Sequence, residues 1–197
     1  MSNHSPLLSD AHLWARFQAG DREAFAAIYQ RYGKLLTQYG MRLVHDKERV
    51  RDAVQDLFVY LWEKRMRLGA VRSLPSYLLI SLRRQLLQAR TSRYGALGLE
   101  RTDESATEMS VERQLIQEQE RGLALQRLTK AMEALPDRQR EAIFLRYYCE
   151  LDFPDVAEVM AINTRSVYKL MYKAIEHMRK NFPTLTFSLI LLCLLLG

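Results

Sequence analysis

From Asp152 to Lys180 the chain reads DFPDVAEVMAINTRSVYKLMYKAIEHMRK, and cations stand at helical spacing behind a short turn. Arg165, Lys169 and Lys173 recur every fourth residue, with Thr164, Ser166 and Tyr172 beside them. Such residues on one helical face suit a polyanion. Guanidinium and hydroxyl groups at the start of the helix reach base edges in a major groove, and later lysines neutralise phosphates. Val167, Leu170, Met171 and Ala174 take the opposite face, and Val156, Met160 and Ile162 precede them, as a helix-turn-helix core requires. The turn residue is Ala161, at a position where the backbone takes φ > 0 and glycine is usual. Alanine there carries about 1–2 kcal/mol of local strain. A plain helical hairpin with a solvated basic face is the competing reading, and the turn spacing favours DNA binding.

A second constellation lies on the helix expected over 47–64. Val50, Ala53, Val54, Leu57, Phe58 and Leu61 recur on one side at 100° per residue. Asp52, Gln55, Asp56 and Glu63 gather on the other, with Val59 in their midst and Trp62 at the flank. A solvated face would explain the acids, whereas an apolar residue among them suits a partner surface. After a loop over 66–74, which carries Arg72, Ser73 and Pro75 mark a new helix start. That helix carries Tyr77, Arg83, Arg84, Arg90 and Arg93 and no acid. Tyr77 sits among leucines, which suits a place in the core.

These residues need helices to position them, and nearly every periodic stretch has helical spacing. Ser9 and Asp10 cap a short helix carrying Leu13, Trp14 and Phe17. Gly20-Asp21 ends it and starts the next, whose apolar stripe runs from Phe25 to Leu43. Composition then shifts: GALGLERTDESATEMS, from Gly95, lacks apolar periodicity and reads as an exposed acidic linker. Helical spacing resumes through Leu125, Leu128, Met132 and Leu135, and further helices open at Pro136-Asp137 and Pro154. The expected fold class is all-α: two small helical domains, over 8–93 and 120–181, joined by a flexible linker over 94–119 and followed by an apolar tail over 182–197.

The chain has 197 residues and a formal net charge of +6, which suits a polyanionic partner. Its two cysteines, Cys149 and Cys193, form no CxxC pair, so neither a disulfide framework nor a zinc knuckle is expected. The start MSNHSPLLSD has no basic segment before an apolar core, so no secretory signal is expected. Four scattered histidines, no phosphate-cradling glycine loop and no acid/base or metal-ligating set exclude an enzyme, a metal site and a cofactor.

LPDRQREAIFLRYYCELDFPDVAEVMAINTRSVYKLMYKAIEHMRK resembles region 4 of bacterial sigma factors of the extracytoplasmic-function (ECF) group, within the sigma-70 family. AGDREAFAAIYQRYGKLL and DAVQDLFVYLWEKR resemble region 2 of the same group. The resemblance runs over nearly all of residues 13–181, and the tyrosine-rich style is similar to members from Bacteroidetes-like bacteria. It implies a factor that binds core RNA polymerase and directs promoter-specific initiation, with the chemistry left to polymerase. It implies that Asp52, Gln55, Asp56, Val59 and Trp62 dock on the β′ clamp, and that region 4 meets the β flap. It implies capture of the −10 element by Arg72, Tyr77, Arg83, Arg84 and Arg90, with the cations on phosphates and Tyr77 stacking on an unstacked base, a role that stands level with its place in the core. The −35 element falls to Thr164, Arg165, Ser166, Lys169, Tyr172 and Lys173. An anti-sigma factor is the further partner implied. A monomer in the cytoplasm, at the nucleoid, is expected, with membrane association through the anti-sigma factor.

Three departures from the family pattern stand out. Tyr77-Leu78 replaces a frequent Trp-Leu, and Leu82-Arg83-Arg84 replaces a frequent Ala-Arg-Asn. Leu170 stands where a basic residue is common, which shifts base reading toward Arg165, Ser166 and Lys169. The tail from Leu185 to Leu196 is almost wholly apolar but shorter than the ~20 residues that span a bilayer. Burial on its own domain or on a partner is expected, with membrane association the lesser reading. Two rivals remain. A stand-alone helix-turn-helix regulator needs an α/β receiver or ligand domain, and residues 1–93 read as helices only. A membrane-associated adaptor leaves the Asp52–Trp62 pattern unexplained.

Overall fold

The structure is a computed structural model; it describes residues 9–93 and 130–181, with the backbone alone for 89–93 and 181. Every regular element among them is helical. The acidic linker and the apolar tail lie outside the described residues.

Helix α1 (Asp10–Gln18) begins where the Ser9 side chain accepts from the His12 N–H at 3.3 Å. It ends at Gly20, whose φ of 89° lies in the left-handed region open to glycine. Asp21 then caps α2 (Arg22–Leu43), accepting from the N–H groups of Glu23 at 2.8 Å and Ala24 at 3.2 Å. The Ala24 N–H first, and then the Arg16 guanidinium at 2.7 Å, hold the Asp21 carboxyl below its usual range. Asp46 caps α3 (Lys47–Lys64) through the Arg49 N–H at 3.0 Å. A 3-10 turn (Arg65–Arg67) and a short loop lead to α4 (Leu74–Arg93). There Ser73 Oγ accepts from the Ser76 N–H at 3.3 Å. All four starts follow one rule: a short oxygen-bearing side chain satisfies an N–H that the helix leaves over.

The apolar stripes of α1 to α4 bury one another. Leu13 and Phe17 of α1, Ile28 and Leu36 of α2, Leu57 and Leu61 of α3, and Leu78 and Leu82 of α4 are all nearly inaccessible to solvent. Each such side chain contributes about 1.5–3 kcal/mol relative to exposure. At Gly40 α2 and α3 approach closely. A Cβ there would lie 2.6 Å from Val50 Cγ1, so only glycine fits. The pair α3–α4 is further tied by Arg49, which donates to the Leu86 carbonyl at 2.7 Å.

Helix α5 (Asp137–Ile143) runs into a single π-helical stretch, Phe144–Tyr148. Glu150, at φ 55°, turns the chain toward α6 (Phe153–Met160), which Asp152 caps through the Asp155 N–H at 2.7 Å. The residue that ends α6 is Ala161, at φ 53° and ψ 48°, the left-handed conformation expected of the turn. Its N–H donates to the Glu158 carbonyl at 3.1 Å, and that of Ile162 to Ala157 at 3.0 Å. Helix α7 (Thr164–Asn181) follows at once.

Ala161 is exposed, so a glycine there loses no packing and relieves the left-handed strain. Ala161→Gly is therefore expected to stabilise the protein by about 1 kcal/mol, read as a rise in thermal midpoint. An unchanged or lower midpoint would mean the strain is absorbed elsewhere.

The chain falls into two compact units. One combines α1 to α4 with Leu145–Thr164, and in it α6 packs against α4. Cys149 is buried in this unit, and burial pushes its thiol up to about 12, against the opposing charge of Arg42. The other unit takes in Phe144 and the residues before it together with Arg165 onward. Its centre is Ala131, Leu135, Ala174 and Met178, with Met132 and Ile143 packed against them. Arg140 serves this unit as a C-cap, donating to the carbonyls of Met132 at 3.0 Å and of Glu133 and Leu135 at 2.8 Å.

Candidate nucleic-acid interface and docking face

Helix α3 is two-sided. Its buried side is the one predicted, Val50, Ala53, Val54, Leu57, Phe58 and Leu61. Asp52, Gln55, Asp56 and Val59 are exposed and Trp62 is half-buried, all outside the buried stripe. The face is not uniform. Gln55, Val59 and Trp62 line a groove of about 570 Å3 with Phe25 and Tyr29. Asp56 faces the other way, accepting from Gln85 Nε2 at 3.4 Å and lining a different cleft. Asp52 lies by Arg51, 3.7 Å away. The groove end of α3 is held rigid by aromatic packing: the Trp62 ring lies 5.1 Å from that of Phe25, and the Arg65 guanidinium 4.4 Å above it.

The cleft beyond Asp56 has a volume of about 790 Å3. Tyr60 of α3, the loop Leu68–Ser73, and Tyr77 and Arg84 of α4 line it, with Trp14 of α1. Tyr77 is both packed and at the cleft. It is half-buried with its ring edge-on to Trp14 at 5.5 Å, and it still lines the cleft. Burial first, then the nearby Tyr60, raise its phenol, so it stays a neutral ring at physiological pH. Arg84 is exposed at the cleft. Arg83 is half-buried and donates to the Tyr39 hydroxyl at 3.0 Å. The side chain of Arg90 lies outside the described residues. Arg72 is exposed at the rim but is not idle: it pairs with Asp155 of α6, and Glu158 lies 3.5 Å away. Asp155 is itself 7% exposed.

Helix α7 separates its faces as expected. Val167, Met171, Ala174 and Met178 are buried, and Leu170 is half-buried. Arg165, Lys169, Tyr172 and Lys173 are exposed, with Thr164 and Ser166 half-exposed at the first turn. Arg165, Lys169 and Lys173 form a continuous cationic strip on a helix whose first turn holds no acid. Among the described residues no group of histidine, cysteine, aspartate and glutamate could hold a metal ion. No described helix is long and apolar enough to cross a membrane.

Both halves of this arrangement match known sequence families. Residues 28–94 match sigma-70 region 2, and residues 125–178 match sigma-70 region 4. Among curated relatives, the ECF RNA polymerase sigma factor SigK of Mycolicibacterium vanbaalenii is 27% identical over 170 residues, covering 81% of this chain and 82% of that one. SigK of Mycobacterium tuberculosis is 24% identical over 190 residues, covering 91% and 97%.

The chain belongs to the sigma-70 family, in its ECF group.

As a sigma factor it binds core RNA polymerase and directs promoter-specific initiation of DNA-templated transcription, and it is not itself an enzyme. Solved structures agree on the fold. CnrH, in complex with the cytosolic domain of CnrY, superposes with a TM-score of 0.58 at 19% identity, covering 89% of this chain and 97% of that one. The sigma factor RpoE of Bartonella quintana, in complex with the anti-sigma factor NepR, superposes with a TM-score of 0.56 at 19% identity, covering 80% and 96%.

The structure of this sigma factor adds residues that sequence reasoning missed. Tyr29 of α2 and Tyr60 of α3, each 51% exposed, line the groove and the cleft respectively. Tyr29 was legible only as a member of the α2 stripe, because its position at the stripe's edge depends on where α3 packs. Trp14 and Gln18 of α1 reach the loop at the cleft, and nothing in their local sequence signals it.

Proposed function

We propose that the factor divides promoter recognition between the cleft and α7 and docks on polymerase through α3. The exposed α3 face around Gln55 and Val59, with Trp62, Asp52 and Asp56 at its margins, meets the β′ clamp. The cleft beneath Leu68–Ser73 takes the melted −10 strand: Tyr77 supplies a ring, Arg84 and Arg90 hold phosphates, and Arg83 and Arg72 stand at the borders. Thr164, Arg165, Ser166, Lys169, Tyr172 and Lys173 read the −35 element from α7, and the same region meets the β flap. The observation that carries this reading is α3 itself, which has an apolar residue exposed amid polar ones on one flank and borders the cleft on the other. Each DNA site alone offers few phosphate contacts and binds weakly and salt-dependently. Tethering both to polymerase raises the effective concentration of each at its half-site.

The likeness to CnrH, solved with the cytosolic domain of CnrY, and to RpoE, solved with the anti-sigma factor NepR, supports an anti-sigma factor as a further partner. The protein works in the cytoplasm as a monomer on polymerase, at the nucleoid, with that partner as a route to the membrane. Run-off transcription with sigma-free core polymerase and genomic DNA tests the reading. Discrete new transcripts are expected; sequence-specific DNA binding without transcripts or co-purification with core would overturn it.

The −35 assignment makes a separate prediction. Lys169→Ala and Lys173→Ala are each expected to weaken holoenzyme binding alike on all promoter variants and to lower the slope of log K against log salt by about 1. Arg165→Ala is expected to cost about 1–3 kcal/mol and to relax preference at one base position. Titration of fluorescent promoter duplexes at several salt concentrations measures both. Equal slopes in wild type and variants would remove those lysines from the phosphate contacts.

A further inference from the structure

We propose that α1 is part of the −10 site, with Trp14 and Gln18 as positioning residues that hold the loop Leu68–Ser73 in its binding shape. This rests on the reading that the cleft takes the melted −10 strand.

The loop has little of its own to hold it. It lies between the 3-10 turn and α4, outside any regular element. Gly69 and Ala70 are exposed, and a Cβ built on Gly69 would meet nothing within 4 Å. Arg72, near the loop's far end, pairs with Asp155 of α6, and the anchors of the loop's first residues come from a helix some 50 residues earlier. Trp14 Nε1 donates to the Gly69 carbonyl at 3.0 Å. Gln18 Nε2 donates to the Leu68 carbonyl and reaches Gly69 O at 3.3 Å. The donors sit one turn apart on the same face of α1, so two successive carbonyls are fixed by one rigid element.

The Trp14 donor is well placed to do this. The side chain is only 3% exposed, and its ring packs against Phe17 at 5.0 Å and Tyr77 at 5.5 Å. The indole therefore cannot swing away from the loop, and it lines the cleft directly. Helix α1 also precedes residues 28–94, so the region 2 match says nothing about it.

The consequence follows from how an unstacked base is held. Recognition needs a pocket whose polar edges are already in place. A loop that must be ordered on binding loses affinity to that ordering. It also loses discrimination, because a mobile edge can adapt to the wrong base. Trp14 and Gln18 thus act through the loop without touching DNA.

Trp14→Phe keeps a ring and removes the N–H, and Gln18→Glu keeps the length but can only accept when ionised. The test compares each variant and the double variant with wild type, all as holoenzymes. The probes are fluorescein-labelled single-stranded 12-mers spanning the non-template −10 strand of a promoter mapped by run-off. One 12-mer is matched and the others carry single-base changes. The expected result is about a tenfold weaker Kd for the matched 12-mer in the double variant, the scale of one or two net hydrogen bonds. The ratio between matched and changed 12-mers should fall toward one. Core polymerase affinity and −35 duplex binding should be unchanged, and amide exchange over 69–73 should speed up in the full chain.

Wild-type discrimination that persists undiminished in a folded double variant overturns the proposal. Gln18 is only half-buried, so its variant keeps the test open if Trp14→Phe fails to fold. Unchanged exchange and affinity in Gln18→Glu alone would likewise overturn it. A wild-type holoenzyme indifferent to 12-mer sequence would instead refute the −10 reading of the cleft, and the proposal with it.

Discussion

Val59→Asp is expected to weaken binding to core polymerase by about a hundredfold, the ~2.7 kcal/mol of a central interface residue. Val59 is 50% exposed and sits between Gln55 and Trp62 at the groove on α3. Docking would bury it, and an aspartate carboxylate in its place would lose water without gaining a partner. In the free chain the same aspartate stays solvated, so the fold should change by no more than about 0.5 kcal/mol. Affinity for core, measured by competition, should therefore collapse while the thermal midpoint holds. Run-off transcripts should vanish in parallel. Gln55→Ala should show the same pattern at smaller size. A Val59→Asp protein that competes for core as well as wild type would move the docking face elsewhere.

Gly40→Val is expected to destabilise the first unit by about 3 kcal/mol, the upper range for overpacking a tight core. Even a bare Cβ at residue 40 would lie 2.6 Å from Val50 Cγ1 and 3.2 Å from Cγ2, with Leu86 Cδ1 at 3.4 Å. Val50 is fully buried and β-branched, so it has no free rotamer into which to retreat. The helices must part instead, and α2 and α3 then lose contact along their length. Val50→Ala in the same chain should recover part of the loss, since it removes the atoms that clash. Denaturant unfolding of the two single variants and the double variant closes the cycle. Strictly additive losses would show that the two positions do not meet.

Helix boundaries were largely legible because capping is local. Ser9, Asp21, Asp46 and Asp152 each satisfy an N–H two or three residues on, and each could be read from a short window. Ala161 was legible for the same reason, since a turn of fixed spacing fixes which residue takes φ > 0. The faces of α3 and α7 followed from period alone.

What stayed hidden depends on pairs far apart in the chain. Nothing near Gly40 marks it as a close approach rather than an ordinary glycine, because its neighbour is on another helix. Trp14 reads as core, and its N–H finds a carbonyl 55 residues away. Arg72 reads as a free cation at a nucleic-acid site, yet it pairs with Asp155, 83 residues on. Asp56 reads as one with Asp52 and Gln55, and only the position of α4, through Gln85, sets it on the other flank. The π-helical stretch Phe144–Tyr148 follows the helix expected to open at Pro136-Asp137, and the apolar pattern does not mark it.

Helix α3 has one more consequence. Val59 stands on its outer face, and the same helix continues through Lys64 into the 3-10 turn and the loop at the cleft. No hinge separates them: the Leu68 N–H still bonds to the Lys64 carbonyl at 3.2 Å, and Arg65 locks the turn to the Trp62 carbonyl at 2.6 Å. The helix thus behaves as a ruler. A single residue inserted after Val59 would rotate the rest of α3 by about 100° and advance it by about 1.5 Å relative to the docking face, out of register with the α1 and α4 residues that complete the cleft. If α3 docks and the cleft takes DNA as proposed, the spacing from Val59 to Leu68 would set where on polymerase the strands part, and this stretch would change in composition far more readily than in length.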